Sequence, residues 1–218
     1  MTTLTTLTAA PVTDTTASTV PRRRTLVSLA VVILAVFVAM LATGVDNESD
    51  SSLGTIKGSY DYGRTVLQVT SYAGMAMCAL FVFLGAAVRT ALRSRRPVWT
   101  ADVAMLGFLV IGLTVAGWAV SGLAMWHAVD QGEDASIRAL NFVDTANFLP
   151  LMMGMACAYV GAGLAGLASG TLPRWLAVAS VVVGCLAPLG PLGFVPAMLL
   201  PLWLVAVAAT VRLTDETA

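Results

Sequence analysis

The segment VAMLGFLVIGLTVAGWAVSGLAM, residues 103–125, contains no charged side chain. As a helix it would be about 35 Å long at ~1.5 Å per residue, which exceeds the ~30 Å hydrocarbon thickness of a bilayer. A helix also satisfies every backbone N–H and C=O group within the segment itself, as the water-free interior of a membrane requires. The segment therefore predicts a transmembrane helix.

The composition of the whole chain extends this prediction. Hydrophobic residues make up 58% of the 218 residues and charged residues only 11%, with a mean hydropathy of +0.85. Soluble domains are about 25% charged. We therefore expect an all-α integral membrane protein in contact with the lipid bilayer. The formal net charge is zero, so the chain lacks the basic surface that neutralises a nucleic acid, and no nucleic-acid partner is expected.

Six segments of the chain are apolar enough to be predicted spans. Their residues are 26–43, 66–88, 103–125, a fourth span ending near 168, and two more between 175 and 211. The last stretch carries no charge and is too long for one helix, so the PLGP sequence at 188–191 is expected to turn the chain. Five spans with a re-entrant segment remain the alternative. The predicted domains are a disordered Thr-rich tail at 1–24, the six-helix transmembrane domain at 25–212, and a short tail at 213–218.

The basic residues predict the orientation of this bundle. Nine of the twelve fall on one side of the six-span topology, at residues 22–24, 89, 93, 95, 96, 174 and 212. Because cytoplasmic loops are enriched in Arg and Lys, this asymmetry places both termini in the cytoplasm. The first span is longer than a signal peptide, so we expect an uncleaved anchor. Eleven of the twelve basic residues are Arg, which is typical of a GC-rich bacterium, and the predicted location is its cytoplasmic (inner) membrane.

Two short sequences resemble each other, GMAMCALF at 74–81 and GMACAYVG at 154–161. The second begins a stripe of small residues at every fourth position, formed by Gly154, Ala158, Ala162, Gly166 and Gly170. Such a stripe lets another helix approach closely. The alternative is a soft-metal site of Met and Cys, but Met75 and Met77 point about 200° apart on a helix and cannot grip one ion. We therefore predict helix packing, with no metal and no cofactor.

The polar residues of the predicted spans gather near the outer leaflet. They are Gln68, Ser71, Tyr72, Ser121, His127, Asn141, Asp144 and Asn147. If these spans pack together, the polar residues would line a cavity in which Asp144 or His127 binds a cation or a polar headgroup. In the alternative interpretation, Asp144 and Asn147 cap or hydrate a helix end while His127 lies at the interface.

Two segments near the C-terminus resemble a known group of membrane proteins. LPRWLA at 172–177 and PLWLVAVAA at 201–209 are similar to six-helix membrane proteins common in actinobacteria, which are grouped under a domain of unknown function. The resemblance implies a six-helix fold. It implies no activity and assigns no functional residue.

Two classes of function fit the sequence. The first is a non-enzymatic membrane protein, either a partner subunit in a homo-oligomer or with another membrane protein, or a binder of lipid or small ligand through the outer-leaflet polar residues. The second is an enzyme or transporter acting on a lipid-like or small polar substrate, with Asp144 and His127 as acid and base. The predicted spans are nearly free of ionisable groups and the chain has no catalytic motif, which favours the first class.

Overall fold

The structure, a computed structural model, describes residues 23–43, 51–61 and 64–212. The helices are α1 (Arg23–Thr43), α2 (Leu53–Asp61), α3 (Arg64–Arg93), α4 (Thr100–Gln131), α5 (Asp134–Ala146), α6 (Phe148–Ser169), α7 (Arg174–Leu186) and α8 (Phe194–Thr210), with a 3₁₀ turn at Gly190–Gly193. The described residues form no strand, so the predicted all-α class is confirmed. Most of the predicted tail at 1–24 and all of the tail at 213–218 lie outside the described residues, and Arg23 and Arg24 open α1.

Four helices in the described part of the chain are long and apolar enough to cross a membrane. They are Gln68–Arg93, Thr100–Gln131, Asp134–Ser169 and Gly190–Thr210. The chain is therefore a multi-pass membrane protein. The α7 helix is apolar but has only 13 residues, and the side chains of α1 are described only as far as residue 39. Six spans and cytoplasmic termini stay predictions.

The α4 helix lies at the centre of the bundle, between α3 and α6. Glycines bring the backbones of α4 and α6 into contact. A Cβ atom on Gly107 would lie 2.3 Å from the amide nitrogen of Ala158 and 2.7 Å from the carbonyl oxygen of Gly154. Gly161 of α6 makes a similar approach to α4: a Cβ atom on Gly161 would lie 2.6 Å from the amide nitrogen of Ala104. Since lipid offers no hydrophobic drive for association, van der Waals contact between such small residues stabilises the helix pair.

The α7 and α8 helices form an antiparallel hairpin. The Arg212 backbone N–H donates to the Thr171 carbonyl oxygen at 2.8 Å, which joins the end of α8 to the start of α7. Midway along, the Trp203 indole N–H donates to the Ser180 hydroxyl at 2.7 Å. The Trp203 ring also lies 4.2 Å from the ring of Tyr159 on α6, between centroids. The hairpin is thus fixed to the bundle by buried aromatic side chains whose polar atoms have partners.

The predicted bend between α5 and α6 differs in position from the structure. The apolar spacing of Ile137, Leu140 and Val143 predicts a helix that begins at Ser136 and bends near Pro150, whereas α5 begins at Asp134 and the helix is interrupted at Asn147. Pro150 is the third residue of α6. Its missing N–H costs nothing there, because the first four N–H groups of a helix have no intrahelical acceptor.

The segment at 44–65 is polar, acidic and interrupted by glycines between the first two predicted spans, which predicts an external loop, but it contains the short helix α2. Its apolar residues Ile56 and Tyr60 are buried in a second, smaller core with Met125, Ala128 and Ile137 of α4 and α5. The Lys57 ammonium forms a 2.6 Å ion pair with Asp134 at the start of α5. The α2 helix therefore covers the end of the bundle where α4 leads into α5.

The two ends of the bundle carry opposite charge. Eight arginines of the described residues lie at one end: Arg23, Arg24, Arg89, Arg93, Arg95, Arg96, Arg174 and Arg212. Asp102, at the start of α4, pairs with Arg89 and Arg93 at the end of α3. The opposite end carries four acidic residues, Asp130, Glu133, Asp134 and Asp144, and two described basic residues, Lys57 and Arg138. We call them the arginine end and the acidic end.

Candidate ligand site at the acidic end

Asp144 lies half-buried where α5 approaches α4. Its carboxylate accepts a hydrogen bond from the Ser121 hydroxyl at 2.5 Å, and its backbone carbonyl accepts one from the Trp118 indole N–H at 2.9 Å. Ser121 and Trp118 are three residues apart and share one face of α4. Both residues lie on the same side of α4 as Gly107, which contacts Ala158 of α6. The close packing of α4 against α6 thus aligns Ser121 with Asp144.

The two predicted asparagines lie beside Asp144. The Asn147 amide lies over Gly117 of α4, since a Cβ atom on Gly117 would be 3.1 Å from the Asn147 Nδ2 atom. Asn141 is 4% exposed, three residues before Asp144 and therefore on the same face of α5. The structure thus brings together four of the eight predicted polar residues, namely Ser121, Asn141, Asp144 and Asn147. We call these four residues, together with Trp118 and Tyr60, the Asp144 cluster.

Tyr60 adds a buried phenol from α2 to the cluster. Only 7% of this residue is exposed. Burial raises the pKa of the Tyr60 phenol to about 12, and the negative charge of Asp144 contributes in the same direction. The phenol therefore stays protonated at physiological pH. The cluster combines one carboxylate with neutral hydroxyl, phenol and amide groups, a set that attracts a cation or an ammonium group and hydrogen-bonds its substituents.

The predicted residues of α3 are divided between two faces. Ser71 is buried and faces α4, where its hydroxyl lies 3.6 Å from the position of a Cβ on Gly122. Gln68 is half-buried one turn earlier. Tyr72 is 67% exposed and lies on the outside of the bundle, away from Asp144. The structure therefore does not place Tyr72 in the cluster.

His127 is exposed and lies apart from Asp144. It follows Ser121 by six residues, which places it about 240° farther around α4 than the face that contacts Asp144. Its ring is 6.4 Å from the ring of Trp126, between centroids. The described residues contain no group of three or more His, Cys, Asp or Glu side chains that could hold a metal ion.

The small-residue stripe of α6 contacts several partners. Gly154 and Ala158 lie against α4, and Ala162 is fully buried. Gly166 contacts the Leu172 side chain, and Gly170 ends α6 with a left-handed φ of 67°. The methionines in and beside the two similar sequences lie on opposite helix faces: Met77 and Met155 are buried, whereas Met75 and Met153 are exposed.

Sequence reasoning missed two members of the cluster. Tyr60 was assigned to a loop, although the spacing of Leu53, Ile56 and Tyr60 is that of an apolar helix face. No sequence signal marks Trp118, because its acceptor is the backbone carbonyl of Asp144 and depends on how α5 lies against α4.

Two cavities lie elsewhere on the molecule. One, of about 320 Å³, lies between α1 and α3 and is lined by Val36, Ala39, Thr65, Val66, Val69, Thr70 and Ala73. The other, of about 530 Å³, lies at the arginine end and is lined by Arg23, Arg24, Val27, Ser28 and Ala209. Neither lining includes a residue of the Asp144 cluster, which is a packed polar network at the surface of the acidic end.

No protein-family model, curated protein or solved structure matches this chain. Its function is therefore argued from its own residues.

Proposed function

We propose that this chain is a non-enzymatic, multi-pass protein of the bacterial cytoplasmic membrane that binds a lipid through the Asp144 cluster. The half-buried carboxylate of Asp144, held by Ser121 and close to the buried Tyr60 phenol, carries the proposal. A carboxylate in this partly desolvated position favours a positively charged partner more strongly than one in water. The lipid chemistry that fits is a headgroup with an ammonium group.

The proposed orientation places the cluster in the outer leaflet. Arginines collect in cytoplasmic loops, so the arginine end is assigned to the cytoplasm and the acidic end to the outside. With α1 and the α7–α8 hairpin counted as spans, the chain crosses the membrane six times and both termini are cytoplasmic. This count agrees with the resemblance of 172–177 and 201–209 to six-helix actinobacterial proteins, and we propose membership of that group on this basis.

Ligand binding is favoured over a partner-subunit role that uses the small-residue stripe. Gly154 and Ala158 are already occupied by contacts with α4 inside the bundle. A stripe used in this way is not available to a second copy or to another membrane protein.

Binding is also favoured over the alternative of an enzyme or transporter that uses Asp144 and His127 as acid and base. A general acid and a general base act on one substrate only when both lie within hydrogen-bonding reach of it. Asp144 accepts from Ser121 on one face of α4, while His127 lies exposed on another. The separation of these two side chains argues against shared proton transfer.

Native mass spectrometry of the full chain, released gently from its own membrane, tests the proposal. We expect a retained phospholipid with an ammonium headgroup on the wild-type protein. Asp144→Asn keeps the shape of the side chain and an acceptor for Ser121 but removes the charge, so the occupancy should fall roughly tenfold, equivalent to ~1.4 kcal/mol. The matched control is Asp130→Asn, which removes an exposed carboxylate from the same end.

The occupancy in Asp130→Asn should equal that of the wild type. Equal occupancy in Asp144→Asn and the wild type, or a wild-type protein without any lipid, would contradict the proposed function. Circular dichroism of each variant separates a loss of binding from a loss of folding.

A further inference from the structure

Two exposed tryptophans lie at the arginine end, each at the start of a helix. Trp99 immediately precedes α4 and is 73% exposed, and Trp175 is the second residue of α7 and is 65% exposed. Backbone hydrogen bonds fix both positions, because the Trp99 carbonyl accepts from the Asp102 N–H at 2.9 Å and the Pro173 carbonyl accepts from the Ala177 N–H at 3.0 Å. Both indoles therefore face the surroundings of the bundle instead of its core.

The two tryptophans lie at a similar level along the bundle. Glycines of α6 show this, because a Cβ atom on Gly161 would lie 2.9 Å from the Thr100 carbonyl oxygen, and one on Gly163 would lie 2.6 Å from the Ala177 carbonyl oxygen. Two residues of a helix correspond to a rise of about 3 Å and a rotation of about 200°. The α4 and α7 helices thus begin on opposite sides of α6, at heights that differ by about one helical turn.

Exposed indoles at one level indicate a membrane–water interface. The indole ring is apolar and its N–H group is polar, so tryptophan favours the depth of the lipid headgroups. A hydrocarbon thickness of about 30 Å corresponds to about 20 residues of helix, so an interface at Trp99 places the opposite interface near Trp118 and Ser121. These two residues contact Asp144. The level of Trp99 therefore fits the headgroups of the leaflet at the arginine end.

Arginines lie beside each tryptophan. Arg95 and Arg96 belong to the connection between α3 and α4 and precede Trp99 by one helical turn of sequence, and Arg174 directly precedes Trp175. All three arginines are exposed, and no carboxylate of the described residues forms an ion pair with them. Each exposed indole is thus accompanied by positive charge at the expected depth of lipid phosphates.

The acidic side chain of this end is already neutralised. Asp102 is the only acidic residue that the structure describes at the arginine end, and Arg89 and Arg93 pair with it. An anionic headgroup near the connection between α3 and α4 would therefore meet no competing carboxylate from the described residues. A planar guanidinium binds phosphate oxygens through two parallel hydrogen bonds. The net charge also disfavours a headgroup that carries an ammonium group.

We propose that the arginine end binds anionic phospholipids at two arginine–tryptophan sites, one formed by Arg95 and Arg96 with Trp99 and the other by Arg174 with Trp175. At each site the arginines bind the phosphate and the indole lies against the first part of the acyl chains. Each arginine near an anionic lipid surface adds roughly fivefold to the affinity. The sites lie at the opposite end from the Asp144 cluster and select the opposite headgroup charge, so they do not depend on the function proposed for that cluster.

Quenching of tryptophan fluorescence by brominated phospholipids tests the proposal on the full chain reconstituted in vesicles. The vesicles contain equal amounts of phosphatidylglycerol and phosphatidylcholine, and in each sample one of the two lipids carries bromine near the headgroup end of its acyl chains. The signal lost in Trp99→Phe gives the contribution of Trp99, and Trp175→Phe gives that of Trp175. Phosphatidylglycerol should be preferred over phosphatidylcholine at least about fivefold at each tryptophan, which is the effect of one arginine.

The arginine variants are matched controls for each other, because their sites lie on opposite sides of α6. Arg95→Gln with Arg96→Gln should reduce the preference at Trp99 to within about twofold and leave that at Trp175 unchanged, and Arg174→Gln should do the reverse. Each contribution is measured by repeating the Phe substitution in the variant. Inorganic phosphate added at constant ionic strength should leave the preference unchanged.

Four results would overturn the proposal. They are equal quenching by the two lipids in the wild type, an equal loss of preference at both tryptophans in either arginine variant, loss of the preference when inorganic phosphate is added, and an absence of quenching by either lipid. The third result would assign the arginines to free phosphate, and the fourth would show that the indoles lie outside the lipid. Lipid binding at Asp144 is not measured in this experiment, so the two proposals fail independently.

Discussion

At the scale of single residues, the hydrogen bond from Ser121 to Asp144 holds the candidate ligand site together. Ser121→Ala leaves the half-buried carboxylate without this donor, so we expect a loss of about 1.5 kcal/mol in the free energy of unfolding. Chemical denaturation in mild detergent measures it. Ser136→Ala is the matched control, since its hydroxyl contacts Glu133 at an exposed position and should change stability by less than about 0.5 kcal/mol. Equal stability of Ser121→Ala and the wild type would contradict the described contact.

The pKa of Tyr60, on α2, provides a second test of the position of Asp144. Its pKa is raised to about 12 by burial and then by Asp144, so the folded protein keeps the phenol protonated while an unfolded chain loses the proton near its ordinary value of 10.0. The stabilisation is fully present below pH 10 and is lost between pH 10 and about 12. The tyrosinate absorbance of the wild type minus that of Tyr60→Phe measures the titration.

Asp144→Asn should lower the Tyr60 pKa only partly, because burial is the larger cause and remains in the variant. A Tyr60 phenol that titrates at its ordinary value in the wild type would show that α2 does not cover the acidic end.

Among the residues of the site, the polar side chains at the ends of long apolar segments were predictable. Asn141, Asp144 and Asn147 stand out because polar side chains at the end of an apolar segment are either hydrated at the membrane surface or bind a ligand. His127 and Tyr72 stand out for the same reason, yet they lie on other faces of their helices. Residue type marks a polar side chain, whereas the rotation of each helix against its neighbours decides which polar side chains meet.

At the scale of elements, the contact between α4 and α6 depends on glycines whose surroundings differ along one helix. Gly107→Ala places a methyl group 2.3 Å from the backbone of Ala158, so the two helices must separate, and we expect a loss of about 1–3 kcal/mol in unfolding free energy. Gly122→Ala is the matched control on the same helix, where the nearest atom is the Ser71 hydroxyl at 3.6 Å. It should be neutral or stabilising by up to about 1 kcal/mol, because alanine favours a helix over glycine.

Thermal unfolding of both glycine variants in one detergent gives the comparison. If Gly107→Ala and Gly122→Ala shift the midpoint equally, α4 and α6 do not touch through Gly107. Such a result would also contradict the contact between Asn147 and Gly117 of α4.

The elements divide into those that hydropathy predicts and those that it does not. Long uncharged segments such as 103–125 must be helical in a membrane, and their helices are found. The α2 helix was missed because a nine-residue segment is too short to be stable by itself and gains its stability from Ile56 and Tyr60 packing on α4 and α5. The interruption at Asn147 lies three residues before Pro150, because proline is compatible with the first turn of a helix.

At the scale of the whole molecule, the α7–α8 hairpin decides whether the predicted six spans are correct. The turn between the two helices places Leu189 at the surface, 54% exposed. In a variant whose three native cysteines are replaced by alanine, Leu189→Cys should react with a membrane-impermeant maleimide added outside intact cells. Protection of this position from outside, with reaction only after the membrane is opened, would favour five spans and a re-entrant segment.

The general architecture was predictable because lipid permits so few backbone structures, and an all-helical, multi-pass protein follows from hydropathy. The opposite charges of the two ends also follow from the order of apolar and polar segments. The Asp144 cluster could be predicted only in part, because it depends on contacts such as Trp118 to Asp144 between residues distant in sequence.

Everything proposed for the Asp144 cluster depends on the acidic end facing outward. The most direct measurement is cysteine labelling at the two ends in the same cysteine-free background, with Gln131→Cys at the acidic end and Pro97→Cys at the arginine end, both exposed and uncharged positions. An impermeant maleimide added to intact cells should label Gln131→Cys and leave Pro97→Cys unlabelled until the membrane is opened. Labelling of Pro97→Cys alone would place the cluster in the cytoplasmic leaflet and contradict the proposed outer-leaflet site.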